Sequence, residues 1–135
     1  MGTVGYMSPE QVRGKGVGTA TDIFALGCIL HEMLTGKRLF TRDSSAETLA
    51  AILKEDAPSL TDSGVRAPAE LDRIVRHCLE KKAAARFQSA RDLSFDLRTI
   101  LTNPGATFPE PKGRMRDARV WLGSVALVAA VVAGA

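Results

Sequence analysis

The chain contains no run in which apolar and polar residues alternate, and this constrains its fold more than any single motif. A half-buried strand needs that period of two. Apolar residues instead return every three or four positions, in stretches bounded by helix start and stop signals. In "TATDIFALGCILHEMLTG", Ile23, Leu26, Leu30, Met33 and Leu34 share one face. Ala25, Cys28 and Ile29 widen it, so burial on most sides is expected. Thr21 is the expected N-cap and Gly36 the stop. "SAETLAAILKED" carries Ser44 and Glu47 at capping-box spacing, with Leu49, Ile52 and Leu53 as its stripe. Pro68 opens "PAELDRIVRHCLEKK", a position where proline is tolerated, and Leu71, Ile74, Val75, Cys78 and Leu79 form the stripe. Ser89 caps "ARDLSFDLRTIL", with Leu93, Leu97, Ile100 and Leu101 expected inward. The expectation is an all-α body of about four helices, without internal repeats.

Hydrophobic content of 45% in 135 residues allows one packed domain. A net charge of +3, with Lys and Arg interspersed among Asp and Glu, gives no basic face for nucleic acid. Cys28 and Cys78 have no CxxC partner, so they read as buried, reduced thiols of a cytosolic domain rather than a metal site. His31 and His77 lie on helices away from any cysteine or carboxylate cluster and read as surface or satisfied core histidines.

The two ends differ. Residues 103–119, "NPGATFPEPKGRMRDAR", form a Pro/Gly-rich basic linker. Residues 120–135, "VWLGSVALVAAVVAGA", carry no charge. A span takes about 20 apolar residues, so this stretch is expected to be the start of a transmembrane helix, with a buried C-terminal helix as the alternative. Arg114, Arg116 and Arg119 precede it and place the body on the cytoplasmic side of the cell's inner membrane, as a single-pass protein. At the other end, residues 1–19 read as a loop in which only "PEQV" makes a helical turn.

Three ordered motifs, "GTVGYMSPEQ", "TDIFALGCILHEMLTGKRLF" and "ELDRIVRHCLEKKAAARFQSARDL", resemble the C-terminal lobe of a bacterial, eukaryotic-like Ser/Thr protein kinase with a juxtamembrane linker and membrane span. The resemblance assigns residues 1–102 to that helical lobe. Ser8-Pro9-Glu10 stands where kinases carry Ala-Pro-Glu at the end of the activation segment. It implies that Glu10 pairs with Arg86, and a guanidinium offers a carboxylate a bidentate partner. Asp22 and Gly27 match the D-x-x-x-x-G of the long central helix, where the aspartate accepts N–H bonds from the catalytic loop. Asp22 could equally cap its own helix. Thr3 matches the threonine that supports the catalytic loop, with a phosphorylation site as the alternative. Val4, Gly5, Tyr6 and Met7 match the loop that receives the substrate residue following the phosphorylated one.

The resemblance further implies ATP and magnesium as the intact kinase's cofactors, proteins bearing Ser or Thr as substrates, and a second kinase chain as a possible partner. The motifs that hold ATP, magnesium and the catalytic base are not written in these residues: there is no Gly-rich loop, strand lysine, H-R-D or D-F-G. Chain order places them upstream, so the expectation is that this polypeptide alone binds neither cofactor and transfers no phosphate. Two further departures are Lys81-Lys82-Ala83, where the family has Lys-Asp-Pro or Lys-Asn-Pro, and Leu39, where proline is common. A non-catalytic, membrane-tethered module binding peptides or kinases through Thr3–Met7 and the helix at Ser45–Glu55 stays open beside this reading.

Overall fold

The computed structural model describes residues 4–103. A 3-10 turn, Val4–Tyr6, leads into a short helix α1, Pro9–Val12. The long helix α2 spans Thr19–Thr35, followed by α3, Ser45–Lys54, and α4, Ala69–Cys78. A second 3-10 turn, Ala83–Ala85, precedes α5, Ala90–Thr102. The body is helical, as the apolar periodicity demands. The expected linker and membrane stretch lie outside the described residues, as does Thr3. Among the described residues no helix is long and apolar enough to cross a membrane.

Side chains fix most of the helix starts. Ser8 Oγ accepts from Gln11 N–H at 3.3 Å, while Gln11 Oε1 accepts from Ser8 N–H at 2.9 Å, a complete capping box ahead of Pro9. Ser44 and Glu47 form the same reciprocal pair at 3.1 and 3.3 Å. Ser89 Oγ accepts from Asp92 N–H at 3.1 Å. The start of α2 departs from expectation. Gly18 is its N-cap, and Thr21 sits inside the first turn, accepting from Gly18 N–H at 3.3 Å. Thr21 is drawn one turn further in because its hydroxyl proton goes to Glu10. The helix ends at Gly36, whose φ of 72° suits a residue without Cβ.

α2 packs against α4, and α4 against α5, while α3 rests on the first turn and on α1. Ile23, Ile74, Cys78, Phe87, Leu93, Leu97 and Ile100 form one core cluster. Phe24, Cys28, Leu30, Phe40, Ala51, Ile52, Val75 and Leu79 form the other. The seam between α2 and α4 is tight at one point. A Cβ on Gly27 would lie 2.7 Å from Cys78 Cβ and 3.0 Å from Leu79 Cγ.

α2 is buried or half-buried on most sides, as expected: only Thr19, Asp22 and Ile29 are exposed, the last two on one narrow face. Two expectations change. Leu101 is 48% exposed, because it lies at the margin of the Leu93–Leu97–Ile100 stripe near the helix end. α4 stops at Cys78 instead of running to Lys82, since the carbonyls of Glu80 and Lys81 turn to serve a buried guanidinium.

Candidate functional site: a clamped loop on a helical body

The segment from Val4 to Glu10 is held at both ends. At its far end, α1 places Glu10 in its first turn, beside the N-terminus of α2. Arg86, carried just past the second 3-10 turn, is 2% exposed. Its Nη1 donates to Glu10 Oε1 at 2.7 Å and its Nη2 to Glu10 Oε2 at 2.8 Å. The remaining donors are used on backbone: Nη1 on Ala20 O at 2.8 Å, Nε on Glu80 O at 2.7 Å and Nη2 on Lys81 O at 3.2 Å. Thr21 Oγ1 donates to Glu10 Oε1 at 3.0 Å. The guanidinium also lies over the Phe24 ring, 4.9 Å from its centroid. A buried cation is tolerated only when its donors are met, and this one has all three nitrogens engaged. Arg86 in turn holds the Glu10 carboxyl down at about 2, against burial, which opposes it.

At the near end, the Tyr6 hydroxyl donates to Glu32 Oε2 on α2. Glu32 also pairs with Arg38 Nε at 3.7 Å. That hydrogen bond, reinforced by burial, pushes the Tyr6 phenol above its usual value. Gly5 is pressed against the segment after α2, where a Cβ would meet Thr41 Oγ1 at 2.5 Å. Tyr6 and Met7 pack on the second core cluster. The structure therefore brings Val4, Gly5, Tyr6, Met7, Glu10 and Arg86 into one continuous ledge. Asp22 stands apart, exposed on the first turn of α2. Gly27 lies buried at the seam with α4.

Lys81, in the stretch that departs from the family pattern, has a role that spacing did not reveal. Its Nζ donates to Ile52 O at 2.7 Å, one of the last carbonyls of α3, and sits 4.4 Å from the Phe40 centroid. Burial lowers its affinity for the proton. Phe40 stacks on Phe24 at 5.9 Å, so the lysine ties α3 to the aromatic pair beneath Arg86. Thr21 and Glu32 also belong to the site, although their sequence context does not single them out: each is bonded to a residue outside its own helix. His77 stacks on Phe87 at 4.1 Å. His31 differs from a satisfied core histidine: it is 3% exposed, and Nε2 has no hydrogen-bond partner among the described residues. Desolvation lowers its pKa. Cys28 and Cys78 are free and buried, and burial pushes each thiol up to about 12.

Residues 1–95 match the protein kinase domain family. The chain belongs to that family. Serine/threonine-protein kinase PknB of Mycobacterium tuberculosis is 39% identical over 99 residues, covering 72% of this chain and 16% of that protein. PknB of Mycolicibacterium smegmatis is 36% identical over 112 residues, covering 83% of this chain and 18% of that protein. PknD of Mycobacterium tuberculosis is 38% identical over 103 residues, covering 76% and 16%. The kinase chain therefore spans about a sixth of the length of the curated relatives it matches. The twitchin kinase region from C. elegans shares the fold, with a TM-score of 0.66 at 21% identity, over 92% of this chain and 22% of that one.

Proposed function

We propose that this chain is the peptide-substrate lobe of a membrane-anchored Ser/Thr protein kinase, which transfers phosphate from ATP to Ser or Thr hydroxyls of cytoplasmic proteins or of a second kinase chain. The observation that carries this reading is the bidentate Glu10–Arg86 pair, closing a Ser-Pro-Glu segment onto a helical body. Val4 to Met7 then present a pre-ordered ledge to an extended peptide. Holding that ledge before substrate arrives removes an ordering cost from binding and keeps the acceptor hydroxyl in register. Thr3, which precedes Val4 in the sequence, would support the catalytic loop, with Asp22 receiving that loop's backbone.

The motifs that hold ATP and magnesium in kinases are not among these residues. The chemical step belongs to other segments of the kinase; these 135 residues position the acceptor. The basic linker and apolar stretch at 103–135 would anchor the lobe at the membrane.

The test is a chimera. Residues 3–102 are joined behind the corresponding upstream part of Mycobacterium tuberculosis PknB and assayed with radiolabelled ATP and a Ser/Thr-bearing protein. The chimera is expected to transfer phosphate, and the 135-residue chain alone is expected to transfer none. Transfer by the chain alone would refute the division of labour. A folded, inactive chimera that still binds peptide would favour a non-catalytic interaction module.

A further inference from the structure

We infer that the outer face of α5 is a docking surface for an anionic lipid bilayer. This inference rests on the membrane-anchored reading above. Leu93, Leu97 and Ile100 bury one side of α5 in the core. On the other side, at 100° per residue, Leu101, Ser94, Arg98, Arg91, Thr102 and Phe95 follow one another around an arc of about 120°. Phe95 is 70% exposed and Leu101 48%. The two arginines lie between them and are exposed as well. Asp96 turns off this arc to Arg73 at 3.4 Å, and Asp92 stands at its margin. Two apolar side chains flanking two cations is the composition of an interfacial helix face: rings and branches enter the headgroup boundary while guanidinium groups meet lipid phosphates.

The rest of the chain says what should cover this face. α5 ends at Thr102, and only 17 residues, 103–119, separate it from the uncharged stretch beginning at Val120. Seventeen residues reach at most about 60 Å even when fully extended. The end of α5 is therefore kept close to any bilayer that holds residues 120–135. Tethering on this scale gives an effective concentration on the order of millimolar, so a patch too weak to bind vesicles freely becomes occupied. Charge complementarity selects acidic headgroups over neutral ones. A docked α5 would also orient the Val4–Met7 ledge relative to the membrane.

The experiment uses the whole chain in vesicles with brominated acyl chains. The only tryptophan is Trp121, so Phe95→Trp is made in a Trp121→Phe background. Vesicle flotation reports anchoring, and quenching of the indole introduced at position 95 reports the face. The expected result is flotation in all vesicles, with that indole quenched when phosphatidylglycerol is present and far less in phosphatidylcholine alone. Arg91→Glu with Arg98→Glu should lower the quenched population about tenfold or more while flotation persists. Flotation without quenching overturns the docking surface and leaves the anchor standing. Failure to float overturns both. Cross-linking of two chains through position 95, in place of quenching, assigns the face to a second copy and overturns the lipid proposal.

Discussion

Arg86 and Glu10 stand 76 positions apart in sequence and meet through two hydrogen bonds of 2.7 and 2.8 Å, with the arginine side chain fully buried. No local rule of helix formation requires this contact. It joins the ledge at Val4–Met7 to the ends of α2 and α4 at once, because the same guanidinium also holds Ala20 O, Glu80 O and Lys81 O. Arg86→Met leaves a half-buried carboxylate with Thr21 as its remaining side-chain donor, and three carbonyls without the guanidinium. The expected loss is about 3–5 kcal/mol in urea denaturation. Glu10→Gln keeps the shape and part of the hydrogen bonding, and should cost less, about 1–3 kcal/mol. Equal stability of wild type and Arg86→Met would contradict the clamp.

The same pair sets an acid limit. Glu10 titrates at about 2 in the folded chain against 4.5 when unfolded. Its folded pKa is depressed, so its contribution is fully present above 4.5 and is lost as pH falls from there through about 2. The shift corresponds to at most about 3 kcal/mol. Denaturation midpoints measured between neutral pH and pH 2 should fall for the wild type more steeply than for Glu10→Gln over this window. Parallel curves for the two proteins would contradict the assignment.

Gly27 lets α2 and α4 touch. Gly27→Ala gains helix propensity of about 1 kcal/mol. The new Cβ would stand 2.7 Å from Cys78 Cβ, an atom fixed to the backbone of α4, so the helices must separate. Overpacking of this kind costs about 1–3 kcal/mol and should outweigh the gain. A lower urea midpoint is expected; an unchanged or higher one would show that the seam has slack.

Tyr6 is the only tyrosine in the chain, so its ionisation can be read by absorbance without overlap. The hydrogen bond to Glu32 raises its pKa above 10.0. Its neutral form is thus favoured in the folded state, and the stability it contributes is present below 10.0 and lost as pH rises through the folded value. Tyrosinate absorbance should appear above pH 10.0, and Glu32→Gln should move it downward. A normal titration in the wild type would mean that the near end of the ledge is not held.

Much of this arrangement is legible in the sequence, and the reasons are local. The Ser44–Glu47 and Ser89 caps act within a single turn, so their spacing is enough to place those helix starts. The stripes of α4 and α5 are strictly periodic and identify their buried faces. The illegible parts depend on partners far along the chain. Thr21 has the composition of an N-cap, but Glu10, 11 positions away on another helix, takes its proton. Leu101 matches the apolar stripe by type, yet no described element covers it there. Lys81 looks like a surface lysine until α3 and the Phe24–Phe40 stack come together around it. The Glu10–Arg86 contact itself is visible only through family resemblance, since two charges 76 positions apart carry no periodic signal.

Amide hydrogen exchange on wild type and Glu10→Gln tests the central claim most directly. If the pair clamps the ledge to the helical body, amides from Tyr6 to Val12 are protected in the wild type and exchange markedly faster in the variant, while those at the centres of α4 and α5 change little. Unchanged protection from Tyr6 to Val12 would show that the segment is held without Glu10, contradicting the account.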